Sequence, residues 1–289
     1  MARKKSLVFE TQKRSNRGNT QKFWLILIAS VIAILSISLV AILKNSDYNI
    51  DTAFGIEKET ETSELTSEAP TVVFEAERTF LIWCAESDRE GIRFMNIVRV
   101  SMPDCKVTVC AVDPYSAPDT IGGGETPASI YLKSGEKALV SSVEKAYDLD
   151  IDRYICASET QFKSFINYFS GIDITVPEQI NHKSDSLSLV LIKGKHNLKG
   201  DTLFKYMLYL NTIGENGKRR QSAVMLEIIE GIFNPSNLGK RGRIFNRIAN
   251  NMTTDISIVD FSSEENGIVA LMENGVLQAE TVESPEELH

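Results

Sequence analysis

Histidine and paired cysteines are scarce in this chain of 289 residues. It has 3 histidines and 4 cysteines, and the cysteines lack the C-x-x-C spacing that is typical of zinc sites. Cys84, Cys105, Cys110 and Cys156 lie in or beside apolar runs, which favours buried thiols. An extracellular location would also permit a disulfide, for example between Cys105 and Cys110, and the sequence leaves this open. No metal site is predicted from these residues.

Acidic residues outnumber basic ones outside the first 22 residues. The formal net charge is -8. Because residues 1–22 contain seven cations and one acid, the rest of the chain has a net charge of about -14. A surface of this average charge repels phosphate backbones, so nucleic acid is not predicted as a partner. An anionic ligand would have to bind at a local basic site.

The chain has one long run without charge, at residues 23–43. About 20 apolar residues are enough for a helix to cross the hydrocarbon of a membrane. The cations that precede the run place residues 1–22 in the cytoplasm, with the lipid bilayer as their neighbour. A cleaved signal peptide is the alternative, but its apolar region is shorter and ends in a small-x-small site, unlike Leu43-Lys44. We therefore predict an uncleaved, single-pass anchor in the cell membrane and an extracellular C-terminal domain.

Composition divides the remainder of the chain into three parts. Residues 44–71 are rich in Glu, Ser and Thr and are predicted to form a flexible stalk. Residues 72–250 contain enough apolar sequence for one folded domain. Residues 251–289 are predicted to be a C-terminal extension, with one more strand at 255–260 and a disordered acidic tail.

Strand and helix patterns alternate along the folded part. Apolar, β-branched runs predict strands at 78–84, 94–100, 106–112, 152–157, 172–177 and 187–192. Apolar residues at helical spacing predict helices at 136–147, from 159, at 200–209, from about 219 to 232, and at 242–250. The turn at 102–104 predicts a hairpin. Together these patterns predict an α/β fold, a mixed β-sheet flanked by helices in three layers, preceded by one transmembrane helix.

Five stretches of the folded part stand out by their order and spacing: Val98–Ser101 with Lys106–Val109, Asp152–Phe162, Gly171–Pro177, Leu198–Tyr206, and Arg220-Gln221. In this order and spacing they resemble the LytR-CpsA-Psr family of bacterial cell-envelope proteins. The resemblance covers residues 79–233. It implies a domain that binds a polyprenyl pyrophosphate-linked glycopolymer outside the membrane and transfers it to peptidoglycan, commonly with magnesium.

The chain departs from the family where pyrophosphate binding is expected. Members carry Arg-x-Asp-Thr where this chain has Arg93-Phe-Met-Asn96, and Pro114 stands in place of an arginine. The Arg-x-Arg that follows the tyrosine at 206 becomes Leu208-Tyr-Leu210. Asp113 could replace a lost carboxylate, although an acid before proline is also a common turn residue. Because each 1.36 kcal/mol changes a rate about tenfold, the loss of several such groups predicts a catalytically degenerate member.

Six residues remain candidates for binding pyrophosphate: Arg220, Gln221, Lys218, Arg219, Arg93 and Arg89. Guanidinium groups match phosphate oxygens, and a helix start adds unpaired amides. The run 217–221 is one residue shorter than in the family, so only Arg220 and Gln221 align unambiguously. A solvated helix start and ordinary surface loops explain the same residues. No catalytic residue is predicted, and magnesium is expected only if the site is active.

Three hypotheses follow. The first is a non-catalytic member that binds an envelope polymer, a lipid-linked precursor or a partner. The second is an active transferase with a rearranged site formed by Arg93, Asp113, Lys218 and Arg220. The third is an unrelated anchored domain, and a fold without a mixed sheet and an apolar cleft beside Arg220 would favour it.

Overall fold

The structure is a computed structural model that describes residues 77–86, 91–118 and 124–288. The predicted tail (1–22), anchor (23–43), stalk (44–71) and Arg89 lie outside the described residues. Within the described ranges, no helix has both the length and the apolar composition needed to cross a membrane.

Strands and helices interleave along the described residues. The strands are β1 (Glu77–Ala85), β2 (Ile92–Ser101), β3 (Lys106–Val112), β4 (Arg153–Ser158), β5 (Ile172–Val176), β6 (Ile180–Lys183), β7 (Ser188–Leu191), β8 (Gly194–Leu198), β9 (Thr253–Thr254) and β10 (Gln278–Thr281). The α-helices are α1 (Pro127–Ser134), α2 (Glu136–Tyr147), α3 (Glu159–Tyr168), α4 (Gly200–Leu210), α5 (Gly214–Ile232), α6 (Arg241–Asn251), α7 (Ile258–Ser263) and α8 (Glu265–Asn274). Short 3₁₀ turns follow at Pro235–Lys240 and Pro285–Leu288.

The central sheet has the order β10-β3-β2-β1-β4-β9. Strands β1 and β2, β2 and β3, and β4 and β9 are antiparallel, whereas β1 and β4, and β3 and β10, are parallel. The predicted hairpin around residues 102–104 is the β2–β3 pair. The prediction of a mixed sheet is therefore confirmed.

Helices cover both faces of this sheet because its strands alternate buried side chains between them. On one face, Leu81 and Trp83 pack with α1 and α2 through Tyr131 and Leu139. On the other, residues such as Val98 pack with α3, α4 and α5. Two apolar clusters result, which is the three-layer arrangement that the alternating patterns predict.

The four cysteines are buried and form no disulfide. Cys105 belongs to the apolar cluster on one face of the sheet and Cys110 to the cluster on the other. The sheet therefore separates the two thiols that are closest in sequence. Burial raises the pKa of Cys110 to about 12, which leaves its thiol protonated and unreactive at neutral pH.

The C-terminal segment differs from its prediction. Residues 255–260 do not form a strand, because Ser257 caps the start of α7: its side chain accepts from the Asp260 amide, and the Asp260 carboxylate accepts from the Ser257 amide. The acidic end is ordered as far as residue 288. β10 pairs with β3, and Leu288 is buried in the cluster beneath α2. The segment after residue 250 thus contributes to the core of the domain.

An ion pair between Asp260 and Arg153 attaches α7 to the sheet. Hydrogen bonds from the Arg153 guanidinium and from Ser257 lower the pKa of Asp260 below its usual range. A carboxyl group of this kind stabilises the fold above its unfolded pKa, near about 4, and this stabilisation is lost as the pH falls toward the folded pKa.

We expect Asp260→Asn to lower the free energy of unfolding at pH 7 by about 1 kcal/mol, a value reduced for the partial exposure of the pair. The difference from the unsubstituted chain should shrink as the pH falls below about 4. Denaturant unfolding at several pH values measures it. A difference that stays constant from neutral to acidic pH would contradict the assignment.

Candidate functional site

The candidate residues 218–221 lie on α5, but they point in different directions. Successive residues on an α-helix are rotated by about 100°. Lys218 lies 2.9 Å from Glu215 and 4.0 Å from Asp113, at the end of β3. Arg219 turns outward to Glu283, at 3.0 Å. The helix therefore spreads these cations around its axis instead of gathering them at one site.

The start of α5 also lies elsewhere than predicted. The helix begins at Gly214, where a start near 219 was expected, so its unpaired amides belong to residues 214–217. Gly217 permits this earlier start, because a Cβ atom at that position would meet the carbonyl oxygen of Leu210 at 1.8 Å. Arg220 lies near the end of the second turn and gains no support from the helix N-terminus.

Arg220 is held by contacts within the domain. Its Nη2 lies 2.7 Å from the Glu227 carboxylate and also donates to the Thr175 carbonyl, while its Nε donates to the Tyr206 hydroxyl at 3.1 Å. The Arg220 and Glu227 side chains are 18% and 20% exposed. Burial raises the pKa of Tyr206, although Arg220 opposes this shift. The guanidinium is thus neutralised by a carboxylate and fixed in place.

Gln221 and Arg93 are connected through Asn211, the residue that follows α4. The Gln221 amide donates to the Asn211 side-chain oxygen at 3.0 Å, and the Asn211 amide donates to the backbone carbonyl of Arg93. The Arg93 guanidinium lies 3.1 Å from Glu86. Gln221 is 4% exposed. These residues link β2, α4 and α5, and Gln221 has little surface available to a ligand.

Each described cation among the candidates has a carboxylate partner. The pairs are Arg93–Glu86, Lys218–Glu215, Arg219–Glu283 and Arg220–Glu227. Among the residues the structure describes, no three His, Cys, Asp or Glu side chains are grouped to hold a metal. Asp113, which could replace a lost carboxylate, lies 4.0 Å from Lys218 and belongs to no such group among the described residues.

Leu208 and Leu210, where the resemblance predicts arginines, belong to the apolar interior. Leu210 is 2% exposed, and Leu208 packs against the same cluster. A guanidinium at position 210 would have to be buried without its usual solvation. The packing of α4 therefore favours an apolar residue at position 210.

A long apolar cavity lies between the sheet and helices α3, α5 and α6, on the face of the sheet where Val98 lies. Its volume is about 240 Å³. It extends along β1 and β2 from Cys84 and Phe94 at one end to Met102 at the other, and Met225 and Ile229 of α5 form part of its opposite wall. Such a space suits a slender apolar chain.

The charged residues on the wall of this cavity are Arg78, Arg153, Arg241, Asp260 and Glu264. Arg78 and Arg153 lie where β1 and β4 begin, and they form ion pairs with Glu264, at 2.6 Å, and with Asp260 of α7. Arg220 is not part of the wall, so the expected cleft beside Arg220 is not where the apolar space lies. The sequence shows the apolar residues of β1 and α5, but the same pattern is expected for a core without a cavity.

Asn96 is a fully buried polar residue of β2 that does not line the cavity. It pairs with Ile82 and Ala111 in the sheet, is 0% exposed, and neither polar atom of its amide has a hydrogen-bond partner within the described residues. A buried polar group without a partner costs about 1 to 3 kcal/mol.

We expect Asn96→Leu to raise the free energy of unfolding by about 1 to 2 kcal/mol, because it removes two unsatisfied atoms at similar volume. Denaturant unfolding measures the change. Asn181→Leu, at an exposed strand position, is the control and should change stability by less than about 0.5 kcal/mol. Destabilisation by Asn96→Leu would indicate instead that the amide is bonded in solution.

The fold and the cavity define an α/β domain whose interior can admit an elongated apolar group. The model of the LytR_cpsA_psr family matches residues 95–285, and the chain belongs to this family. The resemblance predicted from the sequence is thus confirmed, and an unrelated domain is excluded.

Known relatives agree with this assignment. Over 150 residues the chain is 30% identical to the polyisoprenyl-teichoic acid–peptidoglycan teichoic acid transferase TagV of Bacillus subtilis, covering 50% of this chain and 38% of TagV. The match to the crystal structure of B. subtilis TagV covers 72% of this chain and 85% of the TagV chain, with 20% identity and a TM-score of 0.57. The match to YwtF (TagT) of B. subtilis, solved with bound octaprenyl pyrophosphate lipid, covers 71% of this chain and 76% of the YwtF chain, with 17% identity and a TM-score of 0.50. These similarities show a shared fold.

The matched segments are shorter than the relatives themselves. The chain spans between 33% and 43% of the length of the curated relatives it matches. Their activities, substrates and partners therefore come to this chain only as proposals.

Proposed function

We propose that this chain is a membrane-anchored, extracellular member of the family that binds a polyprenyl-(pyro)phosphate-linked glycopolymer by its lipid and has lost the transferase chemistry. Its cytoplasmic tail and single span would keep the domain near a donor that stays in the membrane. Peptidoglycan or a partner protein would then be reached from outside the membrane. The apolar cavity is the observation that carries this proposal.

The cavity supports lipid binding by its shape and by its lining. Apart from the charged residues at one end, side chains such as Phe94, Phe162 and Ile229 line it. Burial of an apolar chain from water gains about 0.8 kcal/mol per methylene group. A relative of the same fold, YwtF, holds octaprenyl pyrophosphate. A prenyl chain is therefore the ligand we assign to this cavity.

Loss of catalysis is supported by the charge balance of the candidate site. Phosphoryl transfer needs uncompensated cations placed where negative charge develops. Here each described candidate cation is paired with a carboxylate. Two positions where the family has arginine are leucines of the apolar cluster. The domain would bind a lipid-linked precursor without turning it over.

Calorimetry on the full-length chain in detergent tests both parts. The probes are a four-isoprene pyrophosphate, the monophosphate and the alcohol. We expect the three affinities to agree within about tenfold, because the candidate cations are already paired with carboxylates. A single unpaired cation in contact with the phosphate would favour the charged probes over the alcohol by roughly 1.4 kcal/mol or more, which is about tenfold. No glycopolymer transfer is expected with magnesium or manganese. Failure of all three probes to bind would refute the lipid assignment, and measurable transfer would refute the loss of catalysis.

A further inference from the structure

Helix α7 forms a single layer of wall between the apolar cavity and water. Asp260 and Phe261 of α7 line the cavity, as does Glu264 directly after the helix. No residue of α7 is buried. On its outer side, Ile258 and Val259 are 61% and 70% exposed, so no described element of the fold covers them. Displacing this helix would open the cavity to solvent.

The chain is fixed to the domain on both sides of α7. Before the helix, β9 pairs with β4, and the Tyr154 amide donates to the Asp255 carboxylate at 2.8 Å. After the helix, α8 packs into the domain through the buried side chains of Leu271 and Met272. Residues 256–264 are therefore a short segment between two fixed points, which is the arrangement that a moving lid requires.

Two ion pairs, which we call the latch, hold this segment against the cavity. Glu264 pairs with Arg78 at 2.6 Å, and Asp260 pairs with Arg153. Both arginines stand at the start of a strand, in β1 and in β4, so the sheet carries the fixed half of each pair. The arginine side chains are 37% and 38% exposed. Because water competes with such partly exposed pairs, each contributes modestly and breaks reversibly.

The other walls of the cavity are held more firmly than α7. β1 and β2 are the two middle strands of the sheet, and α5 contributes nine buried residues. An apolar contact of α7 is the stacking of Phe261 on Phe245 of α6, with ring centres 4.5 Å apart, and both rings stay partly exposed. Local opening follows the elements that bury the least apolar surface, so this wall opens before the others.

We propose that residues 256–264 are a lid, held shut by the latch, whose opening controls how fast an apolar chain enters and leaves the cavity. The lid uncovers little of the core when it moves, and in its closed position it keeps the bound chain from water. The inference rests on the proposed lipid binding and identifies the step that regulates it. Because opening precedes both entry and exit, the latch governs the two rates and leaves the affinity nearly unchanged.

Binding kinetics of the full-length chain in detergent test the lid. The probe is a four-isoprene alcohol, which has no charge that salt could screen, and surface plasmon resonance on the immobilised chain gives both rate constants. The variant Asp260→Asn/Glu264→Gln removes both carboxylates of the latch at nearly unchanged size. The control Glu125→Gln/Glu280→Gln removes two partly exposed ion pairs that do not line the cavity.

We expect the association and dissociation rate constants to rise together about tenfold in the latch variant, with the affinity within about threefold of the unsubstituted chain. A tenfold change corresponds to about 1.4 kcal/mol, which two partly exposed ion pairs supply. The control should stay within about twofold. High salt should raise both rates in the unsubstituted chain and leave the latch variant unchanged, since it screens these pairs. Unchanged rates in the variant, or faster dissociation alone, would overturn the lid.

Hydrogen exchange measures the lid without a ligand. The amides of Phe261 and Glu264 bond within α7, to Ser257 and Asp260, and report on its opening. They should exchange about tenfold faster in the latch variant than in the unsubstituted chain, while the amides of α5 stay unchanged. This measurement tests the lid even if no prenyl probe binds, an outcome that would refute the lipid assignment alone. Exchange of α7 that the variant leaves unchanged, or that matches α5 in both proteins, would refute the lid.

Discussion

Filling the apolar cavity with Ile82→Phe/Ile155→Phe is expected to lower the affinity for a four-isoprene phosphate about 100-fold. Ile82 and Ile155 are register partners in the parallel pair β1–β4, and both are half-buried side chains on the cavity wall. Two phenyl rings would occupy the space assigned to the lipid tail. Displacing one five-carbon isoprene unit forfeits about 4 kcal/mol of apolar burial, so a loss of 2.7 kcal/mol, or 100-fold, is a conservative estimate.

Stability distinguishes this result from simple unfolding. Added apolar volume in a void should leave the thermal midpoint unchanged or raise it. Val190→Phe is the matched control, because Val190 is 66% exposed on β7 and does not line the cavity. Calorimetry measures the affinities on the full-length chain. Undiminished binding in a stable double variant would place the lipid elsewhere.

Arg220→Ala is expected to destabilise the domain by about 2 to 4 kcal/mol. The substitution leaves the largely buried Glu227 carboxylate without its cation, and it removes donors to Tyr206 and to the Thr175 carbonyl. Breaking a buried ion pair from one side typically costs about 3 to 5 kcal/mol. We expect a somewhat smaller value here because both side chains keep some contact with water.

The neighbouring residue provides the control for this experiment. Arg219 is 60% exposed and pairs with Glu283, which is 64% exposed, so Arg219→Ala should cost less than about 0.5 kcal/mol. Denaturant unfolding of both variants measures the contrast. Equal, small effects would mean that Arg220 is not held by Glu227 and is available to an anion. If the contrast is found, weaker ligand binding by Arg220→Ala cannot by itself be taken as evidence of a phosphate contact.

The secondary structure could be predicted well where local patterns and tertiary packing agree. The helix at 136–147 and the strand at 172–176 follow from apolar periodicity alone. Prediction was wrong at 255–260, where the Ser257–Asp260 capping interaction starts a helix. It also started α5 late, because the close approach that Gly217 permits depends on the position of α4. Capping and close contact are decided by one or two residues, which periodicity does not register.

The candidate site was less predictable than the fold. The motif at 217–221 places Lys218, Arg219 and Arg220 together in sequence, and their spread around α5 follows from helix geometry only once the helix start is known. Their carboxylate partners lie up to 64 residues away, as for Arg219 and Glu283. Such pairings depend on tertiary distances.

The sequence by itself determined the family of this protein and the alternation of its strands and helices. Each of these is carried by residue type and local spacing, which survive without coordinates. The tertiary structure decided which charges are neutralised, where the apolar space lies, and that the residues after 250 complete the sheet. Those properties depend on distances between residues far apart in the chain, and only packing fixes such distances.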